Sequence, residues 1–180
     1  MAVLIKKHPA CDIPSRRFRP FHSLAASIIS QQLSAKASDT IEGRVAAAIG
    51  TPFTPSAWLN ARVEALRGAG LSRAKENYIR GLAERVISGN LQFEKLRKMG
   101  DEEAVALLTE MPGVGKWTAE MFLIFCLKRP DVLSLGDAGL QRAAKFLYDS
   151  KHGENTLEGV SSIWRPYRSV ASWYLWRHLD

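Results

Sequence analysis

The chain has 180 residues, 46% of them hydrophobic, and 25 Lys and Arg against 18 Asp and Glu give a net charge of +7. That length and apolar content exclude a disordered tail or linker and set one domain, or two small lobes sharing a core. The basic excess points to an anionic partner, nucleic acid before an acidic membrane, although basicity alone does not choose between them.

The opening "MAVLIKKHPACDIPSRR" lacks the apolar core of a signal peptide, and no apolar run reaches membrane-spanning length. The expected location is therefore cytoplasmic, or nuclear if the cell is eukaryotic, with no membrane partner. Cys11 and Cys126 are the two cysteines. They cannot supply four thiolates to an iron–sulfur cluster, and Cys126, inside an apolar run, reads as a small buried hydrophobe.

From Phe21 onward the hydrophobic period is helical. Phe21, Leu24, Ala25, Ile28 and Ile29 mark one face. Ala37, Ile41, Val45 and Ile49 mark the next, ending at Gly50 with Pro52 as a stop signal. Ser72 is a candidate N-cap for a helix whose Tyr78, Leu82 and Val86 share a face, and Asp101 one for a helix running to Met111. After "PGVG" the run from Trp117 to Leu127 is apolar on nearly every side, as in a helix packed all round. "RPDVLSLGD" breaks the period. Helix resumes from Leu140, with Ala143, Ala144 and Leu147, and again through Val170, Trp173, Tyr174 and Leu175. No alternating strand pattern, solenoid repeat or low-complexity segment occurs, so the fold class is all-α.

The stretch "LTEMPGVGKWTAEMFLIFC" sets Pro112, Gly113 and Gly115 immediately before the most apolar helix. A two-glycine turn can aim several backbone N–H groups outward, joined by the unpaired N–H groups of the helix that follows. Such a nest binds a phosphate oxygen without a side chain. The plainer alternative is a simple helix–helix turn.

The longer pattern resembles the helix-hairpin-helix DNA glycosylase superfamily. A leucine-bearing helix, then P-G-V-G, a basic residue and a W-T-A helix match its hairpin. "LSLGDAGLQR" places Asp137 where the superfamily carries its catalytic aspartate, with Leu140 at the apolar position after it. "SLAASIISQQLSAKAS" resembles the superfamily's early-helix motif, and "WRPYRSVASWYLW" the ending of the alkylation-repair branch, the 3-methyladenine DNA glycosylase II type. The resemblance runs from about Phe21 to Trp176 and implies two helical lobes flanking a DNA-binding cleft in a single glycosylase unit over 1–180. One lobe would hold residues 20–127 and the hairpin; the other would hold 1–19 and 128–180.

What the resemblance implies residue by residue is as follows. Asp137 would be catalytic; its alternative is an N-cap for the next helix, and both can hold. Gly113, Val114, Gly115, Lys116 and Thr118 would bind DNA phosphate, the glycines because a Cβ would hold the nucleic-acid backbone off. Gln32, with Gln31 as fallback, would be the wedge that fills the hole left by a flipped base; the alternative is a solvent-facing helix end. Trp117 and Trp176 would line the base pocket by stacking and cation–π attraction, or else belong to the core. Trp164, Arg165, Tyr167 and Arg168 read as packing and phosphate-contact residues of the C-terminal lobe.

Strand-nicking members of the superfamily carry a lysine nucleophile where this chain has Trp117. Lys116 is one residue early, and one residue turns a helical side chain by about 100°. The implied enzyme is therefore a monofunctional hydrolase that removes alkylated purines from double-stranded DNA, acting as a monomer. Relatives often hold Na+ or K+ on hairpin carbonyls, here near Met111 and Val114; otherwise no side-chain metal site or cofactor is expected. Three departures stand out: Gly136 precedes the aspartate where many relatives have a larger side chain, and both the N-terminal β domain and the four-cysteine tail of some relatives are missing. The alternatives are a non-catalytic helix-hairpin-helix DNA-binding module, in which a carboxylate at 137 would only weaken affinity, and a glycosylase for mismatched or oxidised bases.

Overall fold

The computed structural model describes residues 1–50, 53–152 and 156–179, so the stop signal at Pro52 lies outside the described residues. Among the described residues the chain is helical and contains no strand. It divides into two compact units, one of Arg19–Ala119 and one of Met1–Phe18 with Glu120–Asp180.

The Arg19–Ala119 unit holds α2 (Pro20–Ser30), α3 (Ala35–Ile49), α4 (Pro55–Asn60), α5 (Val63–Gly68), α6 (Arg73–Ile87), α7 (Phe93–Leu96) and α8 (Asp101–Thr109), which follow α1 (Ala2–Lys7) in the chain. Helix α2 buries all five residues of its apolar face, Phe21, Leu24, Ala25, Ile28 and Ile29. At roughly 1.5–3 kcal/mol per side chain, that face is a principal source of the unit's stability. Ser34, Thr54 and Ser72 cap α3, α4 and α6, each hydroxyl accepting a backbone N–H bond from three residues on. Two details differ from the sequence pattern. On α6 the buried face is Glu76, Ile79, Leu82 and Ala83, with Tyr78 and Val86 half-buried at its edge. Glu76 tolerates that position because Arg80 Nε bonds it at 2.7 Å. At α8 the N-cap is Gly100, and Asp101 is the first helical residue. There, with Glu102 and Glu103, its charge favours the helix dipole.

The other unit contains α1, a 3-10 turn at Ile13–Ser15, α10 (Ala138–His152), α11 (Thr156–Ser161), a 3-10 turn at Ser162–Trp164 and α12 (Arg168–Leu179). Helix α9 (Lys116–Phe125) spans the division, which falls between Ala119 and Glu120, not at 127. The reason is local. From Glu120 onward α9 bonds to the segment that follows it: Glu120 Oε2 accepts Ser134 Oγ at 2.6 Å, both residues buried, and the Phe125 ring lies 5.6 Å from Trp176. The segment between α9 and α10 is pinned to the start of α12. Asp131 takes Arg168 Nε at 2.8 Å and Nη2 at 3.0 Å, while Ser169 Oγ accepts Val132 N–H at 2.9 Å and donates to Val132 O at 3.1 Å. Arg168 is thus a structural anchor here. Cys11 and Cys126 are not joined in a disulfide, and Cys126 is buried. Among the described residues no helix is long and apolar enough to cross a membrane.

Candidate active site and nucleic-acid interface

The candidate residues fall in two places, one in each unit. In the Arg19–Ala119 unit, Met111 to Val114 form a tight turn closed by Val114 N–H to Met111 O at 3.0 Å. Pro112 and Gly113 occupy its centre, and Gly113 has φ +85°, the pattern of a type II turn. Helix α9 begins directly after it, with Ala119 N–H bonding Gly115 O at 3.0 Å, so Gly115 is the N-cap and brings no side chain to that end. α8 and α9 with this turn make a helix-hairpin-helix.

The two glycines serve different ends. A Cβ on Gly113 would stand 2.5 Å from Tyr78 Cδ2 and 2.8 Å from Cγ, whereas one on Gly115 would meet nothing within 4 Å. Gly113 is therefore required by its left-handed backbone and by Tyr78 on α6, which corrects the expectation that both glycines serve only close approach of DNA. Gly115 faces open space. Lys116 is exposed, whereas Thr118 has a buried side chain and can offer an anion only its backbone N–H; Val114 offers neither, its side chain being buried and its N–H bonded to Met111 O.

A second turn is fastened to the hairpin. Helix α2 ends at Gln31, and Leu33 N–H bonds Ser30 O at 3.1 Å across Gln31 and Gln32. Gln32 is exposed at φ +59°, a region that a side chain with a Cβ seldom adopts. Gln31 points elsewhere: its Nε2 donates to Gly113 O at 2.8 Å. Lys75 Nζ donates to Ile29 O at 2.8 Å and Gln31 O at 2.7 Å, capping the C-terminal end of α2 with a cation. Burial pulls the Lys75 pKa below its ordinary 10.5. Both glutamines, Lys75, Tyr78, the hairpin and Trp117 line one cavity of about 910 Å³. Trp117 is 48% exposed, so it is not a core residue.

In the other unit Asp137 opens α10. It is buried, and its Oδ1 accepts Leu140 N–H at 2.8 Å and Trp176 Nε1–H at 3.1 Å. Gly139 is small for a reason here, since a Cβ would lie 3.0 Å from that oxygen and 3.4 Å from Trp176. Trp176 in turn tilts at 37° against Phe125, and both rings are half-buried. Capping and a directed carboxylate thus coexist at Asp137. Phe125 was hidden in the sequence by its apolar neighbours; only the change from fully buried Ile124 to a half-exposed ring distinguishes it. Lys75 and Tyr78 had no sequence signal beyond lying on one helix.

No group of three or more His, Cys, Asp or Glu that could hold a metal occurs among the described residues. A monovalent cation at the hairpin would instead need neutral carbonyl oxygens. Met111 O keeps a lone pair beyond its bond to Val114 N–H, while Gly113 O is engaged by Gln31.

An all-helical fold, a hairpin that presents backbone N–H groups and a buried carboxylate at a helix start define a DNA-directed scaffold with a built chemical group. A family model described as HhH-GPD superfamily base excision DNA repair protein matches residues 25–166, and the chain belongs to that family. DNA-3-methyladenine glycosylase 1 of Schizosaccharomyces pombe is 32% identical over 171 residues, spanning 88% of this chain and 72% of that protein. Among solved structures, a DNA-3-methyladenine glycosidase from Bacillus halodurans superposes with TM-score 0.82 at 44% identity, over 90% of this chain and 76% of the other. A 3-methyladenine DNA glycosylase from Schizosaccharomyces pombe in complex with abasic DNA gives TM-score 0.84 at 30% identity, over 98% and 89%.

Proposed function

We propose that the chain is a monofunctional DNA glycosylase that hydrolyses the N-glycosidic bond of alkylated purines in duplex DNA and leaves an abasic site. The observation that carries this reading is Asp137: a buried carboxylate fixed through Oδ1 by Leu140 N–H and by the Trp176 indole. Two donors on one oxygen orient the group, which is what a reaction building positive charge on the deoxyribose requires. At a separation of about 4 Å and an effective dielectric near 20 the attraction is about 4 kcal/mol. That corresponds to roughly a thousandfold in rate. The same carboxylate can orient or deprotonate the attacking water. An N-alkylated purine already carries positive charge, so it leaves without a second acid to protonate it.

The remaining residues take roles around that step. Gly115, Lys116 and Thr118 grip phosphate, chiefly through backbone N–H groups at the start of α9, and Gly113 and Val114 shape the turn that presents them. Monovalent Na+ or K+ on the Met111 and Val114 carbonyls would add positive charge at that grip. Gln32 is the wedge. Its left-handed backbone at an exposed tip is the kind of local strain that persists where a side chain must be aimed, and Gln31 supports it by holding the hairpin. Trp176 and Trp117 offer stacking faces to a flipped base. Trp117 stands in place of a Schiff-base lysine, so no strand cleavage follows base loss. The enzyme works as a monomer.

The test is base release from methylated duplex DNA by the wild type and by Asp137→Asn, with DNA binding measured in parallel. Free methylpurines from the wild type, reduced roughly a thousandfold in the variant with binding retained, support the whole reading. Binding by both without release from either overturns it and leaves a binding module or an enzyme for another lesion.

A further inference from the structure

The Phe125–Trp176 pair beside Asp137 already carries a cation. Arg16 Cζ stands 4.8 Å from the Phe125 ring centroid, within cation–π range. The arm that brings it there is tied down at several points. Asp12 accepts Arg16 Nη2 at 3.1 and 3.4 Å and Trp173 Nε1–H at 2.7 Å, and Lys128 Nζ holds Pro14 O at 2.7 Å. The guanidinium is thus a held charge on the Phe125 ring, ion-paired with Asp12, although its own side chain is 43% exposed.

We propose that Arg16 is a specificity-determining residue that disfavours formally cationic bases relative to neutral modified purines. The proposal rests on the reading of Asp137 and Trp176 as the base-removal site. A base stacked on Trp176 would lie against one ring of a pair whose other ring, Phe125, already has a guanidinium on its face. An N-alkylated purine brings a second positive charge to that pair and gains less from it, while a neutral modified purine meets no like charge. Arg16 therefore tempers the cationic preference that bare aromatic rings would give and lets neutral modified purines compete. Guanidinium suits the task, because it stays charged at any working pH and stacks flat on an aromatic face.

The experiment uses the full chain, with Arg16→Gln, the charge-keeping Arg16→Lys, and Arg17→Gln as a neighbour that removes one exposed charge of the same arm. Affinity is measured for duplexes carrying 7-methylguanine (cationic) or hypoxanthine (neutral) on a 2′-fluoro sugar, which resists hydrolysis. Single-turnover release is measured on the same bases with ordinary sugars, and thermal melting checks the fold. Arg16→Gln should raise the cationic-to-neutral ratio roughly three- to tenfold, the span expected for one partly screened charge at this range. Arg16→Lys and Arg17→Gln should keep the wild-type ratio. A flat ratio in Arg16→Gln, or an equal change in Arg17→Gln, overturns the proposal. A shifted affinity ratio without base release from ordinary sugars would sink the glycosylase reading and leave the role of Arg16 standing; release with a flat ratio would do the reverse.

Discussion

The hairpin and the aspartate turn are both helix starts, and they are built in opposite ways. At the start of α9 the capping position is Gly115, which has no side chain, so the N–H groups there are offered outward. At the start of α10 the chain supplies its own anion, the Asp137 carboxylate, bonded to Leu140 N–H. The same backbone physics can therefore serve two ends: under the proposed function an open N-terminus would receive a phosphate from outside, and a filled one fixes a carboxylate. The supports differ accordingly. The hairpin is shaped by a left-handed glycine against Tyr78 and by Gln31; the aspartate is held by an indole on α12.

The largest effect should come from breaking the hairpin's shape. Gly113→Ala must take φ +85° with a Cβ 2.5 Å from Tyr78, and should cost about 2–4 kcal/mol of stability together with most DNA affinity. Gly115→Ala, with nothing within 4 Å of its Cβ, should melt like the wild type and lose affinity several-fold by crowding the phosphate. Thermal melting and salt-titrated DNA binding separate the two. Equal melting of both variants would mean the glycines do one job, not two.

A smaller effect is expected at the segment that leads into Asp137. Burial pushes the Asp131 carboxyl up, but the Arg168 hydrogen bonds and charge, with the charge of Arg165, more than offset this and hold it below its ordinary 3.8. A folded-state pKa below the unfolded one gives stability that is present above the unfolded value and lost as pH falls through the folded one. Asp131→Asn should therefore cost about 1–2 kcal/mol at pH 5 to 7. The gap from the wild type should narrow as pH falls below the ordinary carboxyl value and on through the lower folded-state one. Denaturant melts from pH 7 down through the acid range check this, and a gap that narrows at no acidic pH would put the effect in packing. Gly113→Ala acts through a backbone angle and the Tyr78 ring, neither of which titrates in the acid range, so it should show the same loss throughout.

How much of this was legible in the sequence follows the same division. The hairpin is local chemistry: Pro112, Gly113 and Gly115 announce a turn, and an apolar run announces the helix after it. The all-helical fold and the buried faces of α2 and α9 were legible because a helical period repeats over many residues. Gln31 was not, because its partner Gly113 lies 82 positions away and nothing in "SQQLS" says which glutamine turns inward. The bond between Asp12 and Trp173 spans 161 positions and was equally silent. Gly113 was read for the right backbone but the wrong neighbour, since the ring that fills its Cβ space comes from another helix. Asp137 read as a cap or as a catalyst because both need an acid at a helix start; the indole on its oxygen is what side-chain geometry adds.

The last contrast concerns that indole. Trp176 does two things at once, donating Nε1–H to Asp137 Oδ1 at 3.1 Å and stacking near Phe125 at 5.6 Å. Trp176→Phe keeps an aromatic face and removes the donor. Loss of one hydrogen bond to a charged group, offset in part by water, should lower the rate of base release about tenfold. Binding of abasic duplex DNA should stay near the wild-type level, because the phosphate grip belongs to the hairpin. Single-turnover release read beside thermal melting is the sharper readout. If the indole only packs, Trp176→Phe keeps the wild-type rate, because the aromatic face is retained. If the indole orients the carboxylate through its hydrogen bond, the rate falls in a variant that melts like the wild type. Trp117→Phe on the hairpin side, which leaves the Trp176 bond to Asp137 in place, should lose less.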